Sequence, residues 1–159
     1  MPDSIYIETT IPSLYVARWS SSLVEAARQQ LTHRWWDDYR HEFQLVCSQT
    51  VIDECARGEQ VMAQKRLELL TGMPLLDLTE EVARVADALL DGDIVPARAA
   101  DDAVHIAAAS VHGIDYLLTW NCRHLANPRI WRRISDCLQR FGFRATVICT
   151  PEDMIGDEA

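Results

Sequence analysis

Ile5-Tyr6-Ile7-Glu8-Thr9-Thr10 places three consecutive apolar residues before an acid and two hydroxyls. An apolar run without polar alternation suits a strand covered on both faces, which implies a parallel sheet flanked by helices. The same signature recurs at Leu45-Val46-Cys47, Leu75-Leu76, Tyr116-Leu117-Leu118 and Val147-Ile148-Cys149. Between these runs the spacing predicts helices. From Ser22 to about Phe43, Leu23, Ala27, Leu31, Trp35 and Tyr39 recur every four residues, and Ser22 with Glu25 forms a capping box. Further helices are expected from Thr50 to Ala56, from Gln60 to Leu70, from Thr79 to Leu90, and along the alanine-rich stretch from Pro96 to Gly113. Asn127-Pro128 and Thr150-Pro151 read as caps that open two more. This alternation of strand and helix defines an α/β chain, and without repeats or linkers residues 1–159 are expected to form a single domain.

The 159 residues, 48% hydrophobic and 25% charged, suffice for one core and exclude a disordered chain or a disulfide-stapled scaffold. The five cysteines, Cys47, Cys55, Cys122, Cys137 and Cys149, are scattered without a CxxC pair and are expected to be buried free thiols. With no apolar run near the roughly 18 to 20 residues of a membrane span, and no basic and apolar leader in MPDSIYIETT, a cytoplasmic location without membrane contact is expected. The net charge of −9 opposes non-specific binding to polyanions, so any such partner must meet a local patch. One exists between Cys122 and Arg144, where Arg123, Arg129, Arg132, Arg133, Arg140 and Arg144 face the single acid Asp136.

In an open parallel sheet, ligands bind beyond the carboxyl ends of the strands, where strand order reverses. Glu8 ends the first strand, Asn121 follows the strand at Tyr116-Leu117-Leu118, Glu54 lies on the helix after the second strand, and Asp102 lies in the first turns of the alanine-rich helix. Three carboxylates and an amide converging without a cysteine or histidine cluster suit a hard cation with oxygen ligands, Mg²⁺ or Mn²⁺, and phosphoryl chemistry. Asp101 and Asp53 are the rival acids. The register of Asp102 with His105-Ile106-Ala107 favours Asp102, and Asp53 has a sufficient role as the capping partner of Thr50.

Tyr6-Ile7-Glu8-Thr9-Thr10-Ile11-Pro12-Ser13, Val51-Ile52-Asp53-Glu54-Cys55-Ala56-Arg57-Gly58, Asp102-Ala103-Val104-His105-Ile106-Ala107 and Leu118-Thr119-Trp120-Asn121 together resemble the PIN-domain family, most closely its VapC-type toxin-related branch. The resemblance implies an α/β/α sandwich with strand order 3-2-1-4-5, a divalent-metal-dependent ribonuclease, and often an antitoxin partner. Carried over by position, Glu8, Glu54 and Asp102 take the metal, and Asn121 joins them as the fourth catalytic residue. The chain departs from the family pattern in having Glu8 where Asp is usual and His124 where an acid often follows. Thr10, His105 and His124 are supporting candidates, with turn capping by Thr10 and a hydrogen-bonded core role for His105 as the competing readings. Arg123, Arg129, Arg132 and Arg133 are the expected RNA-binding residues, with a solvated helix paired to acidic neighbours as the competing reading. A binding module that keeps the fold without efficient chemistry is the rival function, and a metal-dependent phosphatase or flap-type nuclease would need more ligands.

Trp35, Trp36 and Trp131 lie at helical spacing with other apolar residues and are read as packing residues. In a regular helix the adjacent Trp35 and Trp36 cannot both face inward, so a homodimer or a partner groove is expected to cover one of them.

Overall fold

The computed structural model of the chain describes residues 1–156. Five parallel strands, β1 (Ser4–Ile7), β2 (Gln44–Ser48), β3 (Leu75–Leu76), β4 (Tyr116–Leu118) and β5 (Val147–Cys149), form one sheet in the order β3-β2-β1-β4-β5. The expected class, sheet order and all five strands are thus observed. The chain moves outward from β1 through β2 to β3, then crosses to β4 on the other side of β1, so the order reverses between β1 and β4. Crossovers to either side of that reversal open a crevice at the carboxyl ends of the two strands. Ile7 pairs with Leu118, and Leu118 with Cys149. The ladder runs one residue further, because Glu8 N–H donates to the Leu118 carbonyl at 3.1 Å and Thr119 N–H to the Cys149 carbonyl at 2.9 Å.

Among the described residues eight α-helices accompany the strands, seven between them and one after β5: α1 (Thr10–Val16), α2 (Leu23–Arg34), α3 (Gln49–Cys55), α4 (Gln60–Leu69), α5 (Glu80–Asp91), α6 (Ala100–Val111), α7 (Pro128–Arg140) and α8 (Pro151–Met154). α1 packs on α2 and α4, whereas α5 packs on α6 and α7. Caps expected from the sequence form at Thr79, whose hydroxyl accepts from Val82 N–H, and at Asn127, which accepts from Arg129 N–H. Thr150 and Asp153 make a full capping box. At Ser22 none forms: Glu25 instead accepts from the Ser20 hydroxyl. Helix α3 starts one residue before Thr50, and Asp53 accepts from the Gln49 side chain rather than capping Thr50. The thiols are buried except for Cys122, which lies in the exposed turn after Asn121.

The largest departure lies between Ser22 and Phe43. The expected single helix is three pieces, α2, a π-helical turn at Trp35–Tyr39 and a 3-10 turn at Arg40–Glu42. Arg40 N–H closes the wide turn on the Trp35 carbonyl. Widening reduces the roughly 100° between successive side chains of an α-helix, so neighbouring positions reach the same side. Trp35 is fully buried and Trp36 is 4% exposed, which removes the reason for a partner to cover either. The four-residue apolar stripe points inward only in its second half: Leu23 is 88% exposed and Ala27 is exposed, whereas Leu31 and Tyr39 pack against the core beside Trp35. The buried positions of α2 are Gln29 and Thr32. Gln29 accepts from Ser20 N–H and donates to the Arg18 carbonyl, clamping the α1–α2 loop, while Thr32 accepts from the Trp120 indole N–H at 2.7 Å.

Truncating a buried tryptophan costs about 3–5 kcal/mol. Trp36→Ala is expected to destabilise the chain in that range in denaturant unfolding, close to Trp35→Ala. A loss below about 0.5 kcal/mol, the usual reach of a surface substitution, would restore the regular helix.

Candidate functional site

The crevice between β1 and β4 receives an acid from each of several elements. Glu8 is 3% exposed at the end of β1. Its Oε1 accepts from Thr10 N–H at 3.0 Å, from the Thr10 hydroxyl at 2.5 Å and from the Thr119 hydroxyl at 2.7 Å. Each hydroxyl is itself oriented by a backbone donor, since Trp120 N–H donates to Thr10 Oγ1 and Asn121 N–H to Thr119 Oγ1. Thr10 is the first residue of α1 and does not cap it through its side chain. The end of β1, the start of α1 and the end of β4 are therefore tied through one carboxylate oxygen.

Glu54 sits near the end of α3, where its Oε1 accepts from the Thr9 hydroxyl at 2.7 Å and meets His105 Nε2 at 2.6 Å. His105, on α6, is fully buried, and its Nδ1 lies 2.7 Å from the Tyr6 hydroxyl. That hydroxyl is in turn 2.7 Å from Ser48 Oγ. Asp102, one turn before His105, accepts through Oδ2 from Asn121 Nδ2 at 3.1 Å. The Asn121 side-chain oxygen is occupied by the turn that follows, accepting from Arg123 and His124 N–H. Asn121 thus bridges Asp102 to the β4 end.

Every acid in the crevice has the same asymmetry. Glu8 Oε1, Glu54 Oε1 and Asp102 Oδ2 carry all the hydrogen bonds that these carboxylates make among the described residues. Glu8 Oε2, Glu54 Oε2 and Asp102 Oδ1 carry none. Buried side-chain atoms without a partner are confined to Trp35 Nε1 and Thr146 Oγ1 among the described residues, so the three free oxygens keep solvent contact. Single ligand atoms of Glu8, Glu54 and His105 lie within 4.8 Å of one another, a spacing that a metal ion could span. Asp102 stands outside that tight group yet close enough to interact electrostatically with Glu8, Glu54 and His105.

This proximity shifts the proton affinities of the group. Burial, reinforced by the carboxylates of Glu8 and Glu54, pushes the Asp102 carboxyl up to about 6 against the opposing pull of His105 and Asn121. Burial also acts upward on Glu54, but the hydrogen bond and charge of His105, the Thr9 hydroxyl and Arg57 outweigh it and hold the carboxyl below its ordinary value. For His105, burial pulls downward, and the Glu54 hydrogen bond with the surrounding carboxylates raises the imidazole above its ordinary value.

The neighbouring acids point elsewhere: Asp101 faces Arg57 at 3.5 Å, and Asp53 is exposed. His124 is partly exposed, and burial with Arg123 and Arg98 nearby lowers its imidazole. Arg123, Arg129, Arg132 and Arg133 are all exposed, with Arg133 donating to the Gly92 carbonyl at 2.9 Å. Thr9, Thr119, Tyr6 and Ser48 are the participants that sequence reasoning missed. The two threonines could have been found, since Thr9 follows Glu8 directly and Thr119 stands two residues before Asn121, whereas nothing local marks Tyr6 or Ser48.

No family model matches the chain, and no curated protein does. Among solved structures, the chain superposes on one from the crystal structure of VapBC2 from Rickettsia felis bound to a DNA fragment from their promoter, with a TM-score of 0.53 over 92% of this chain and 98% of that chain. Sequence identity is 13%, and the likeness is one of fold.

Carboxyl carbon shifts of the metal-free protein are expected to titrate near pH 6 for Asp102 and below the usual glutamate range for Glu54. The folded protein holds the Asp102 proton up to about 6, while an unfolded aspartate releases it near 3.8. Between those values the native state binds more protons, so this group's contribution to stability falls as pH rises. Glu54 acts in the opposite sense, losing its contribution as pH falls through its depressed value. An Asp102 midpoint near 4 would contradict the placement of three acids in one crevice.

Proposed function

We propose that the chain is a divalent-cation-dependent endoribonuclease of PIN type, hydrolysing RNA phosphodiester bonds. The observation that supports this reading best is the shared asymmetry of the three carboxylates, each with one oxygen tied to the protein and one left over. Three singly offered, hard oxygens suit Mg²⁺ or Mn²⁺, which bind through few carboxylates and retain waters. Glu8, Glu54 and Asp102 would hold the ion through Oε2, Oε2 and Oδ1. When bound, such a cation polarises a phosphoryl oxygen and lowers the pKa of a coordinated water.

The protein's own part is to fix these oxygens in advance. Thr10 and Thr119 hold Glu8, Thr9 and His105 hold Glu54, and Asn121 holds Asp102. Asn121 therefore acts through Asp102, with its own oxygen already occupied by the following turn. Because Asp102 retains a proton up to about pH 6, cation affinity should fall below that pH as proton and metal compete. Arg123, Arg129, Arg132 and Arg133 would take RNA phosphates, supplying affinity without base selection.

A protein partner of antitoxin type is proposed for the exposed apolar residues Trp19, Leu23 and Val24 around the start of α2. A homodimer remains a proposal for the same surface. No helix among the described residues is long and apolar enough to cross a membrane.

Glu8→Gln, Glu54→Gln and Asp102→Asn are each expected to lower cleavage of single-stranded RNA by about 100-fold or more, a loss of roughly 2.7 kcal/mol in transition-state stabilisation. Asp101→Asn should change it less than about twofold. Equal loss from Asp101→Asn and Asp102→Asn would place the catalytic register wrongly. Replacing Arg132 and Arg133 by Gln should reduce the salt slope of RNA binding by about 2, and an unchanged slope would remove these two from the RNA path.

A further inference from the structure

Ser48, Tyr6, His105 and Glu54 form a continuous chain of polar contacts at 2.7, 2.7 and 2.6 Å, drawn from β2, β1, α6 and α3. Ser48, Tyr6 and His105 are fully buried. A buried polar chain is costly unless each member is satisfied, and this one is satisfied until it reaches Glu54. Its direction is set at that end. The Glu54 carboxylate can only accept, so Nε2–H of His105 donates to Oε1. Nδ1 then either accepts from the Tyr6 hydroxyl or donates to it, and the hydroxyls of Tyr6 and Ser48 rotate to suit either case. The donor presented to Glu54 is the same in both.

We infer that His105, braced by Tyr6 and Ser48, is a positioning residue for Glu54: it ties Oε1 and thereby selects Oε2 as the oxygen offered to the cation. This rests on the cation-site reading above. His105 could instead be a ligand itself, since its nitrogen lies within reach of both glutamates. Against that, both of its ring nitrogens are already engaged, and ligation through Nε2 would sacrifice the bond to Glu54 and its proton. Without the imidazole, Glu54 would be held by Thr9 alone and could rotate towards the Arg57 guanidinium, whose charge already acts on it. Groups that orient a metal-binding carboxylate change metal affinity when removed, typically by 10–100-fold.

The test is Mn²⁺ affinity by calorimetry in the full chain, together with electron spin echo modulation of the bound Mn²⁺, which detects a directly coordinated ¹⁴N. For wild type the expected spectrum has no coordinated nitrogen. His105→Leu should weaken Mn²⁺ binding about 10-fold or more. His105→Gln, whose amide nitrogen can take the place of Nε2, should recover most of that loss, whereas His105→Asn, which reaches only the Nδ1 position, should not. Tyr6→Phe should cost a few-fold. A coordinated ¹⁴N, or wild-type affinity in His105→Leu, overturns the inference and leaves the cation site standing. Should His105→Leu fail to fold, the comparison of Gln with Asn decides, because equal affinities would reduce His105 to a filler of space. Wild-type protein that binds no Mn²⁺ overturns the cation site and the inference together.

Discussion

Three donors converge on one oxygen of a buried glutamate, and most of the crevice depends on that convergence. Glu8 Oε1 takes the Thr10 amide and the hydroxyls of Thr10 and Thr119, and both hydroxyls are held by backbone N–H groups of the loop after β4. The carboxylate therefore does the work of a bridge between β1, α1 and β4. A buried carboxylate is tolerable only when it is so well supplied with donors. The same supply leaves its other oxygen free.

The remaining groups extend the principle under mounting electrostatic cost. Glu8, Glu54 and Asp102 repel one another in a poorly solvated space, and their charges are unequal in consequence. Glu54 is kept ionised by His105, while Asp102 holds its proton to about pH 6. Among the described residues His105 is the imidazole buried among them, and the rise in its own affinity for a proton reflects the surrounding carboxylates. A divalent cation would relieve the same repulsion more fully, as charge concentrated at fixed oxygens favours a bound ion.

How much was legible in the sequence follows from range. Strands β1 and β4 announce themselves as short apolar runs, and the reversal between them locates Glu8 and the β4 loop. Helical register favours Asp102 over Asp101 for the crevice, and in the structure Asp101 pairs with Arg57 at the surface. What was not legible depends on contacts distant along the chain. Tyr6 and His105 are 99 residues apart, and Tyr6 and Ser48 are 42 apart. In α2 the apolar stripe misled because the inward face is polar, with Gln29 and Thr32 satisfied by a loop and by Trp120 that periodicity cannot foresee. Trp35 and Trp36 misled because a π-helical turn has no local signature, and both rings are buried on it.

We propose that Glu8, Glu54 and Asp102 each offer one predetermined oxygen to a single divalent cation. Crystals soaked in Mn²⁺ and measured at the manganese absorption edge address it most directly. The expected result is an anomalous peak contacted by Glu8 Oε2, Glu54 Oε2 and Asp102 Oδ1, with Oε1 of both glutamates still held by their threonines and that of Glu54 also by His105. A peak at the tied oxygens, at His105 Nε2, or outside the crevice altogether would contradict it.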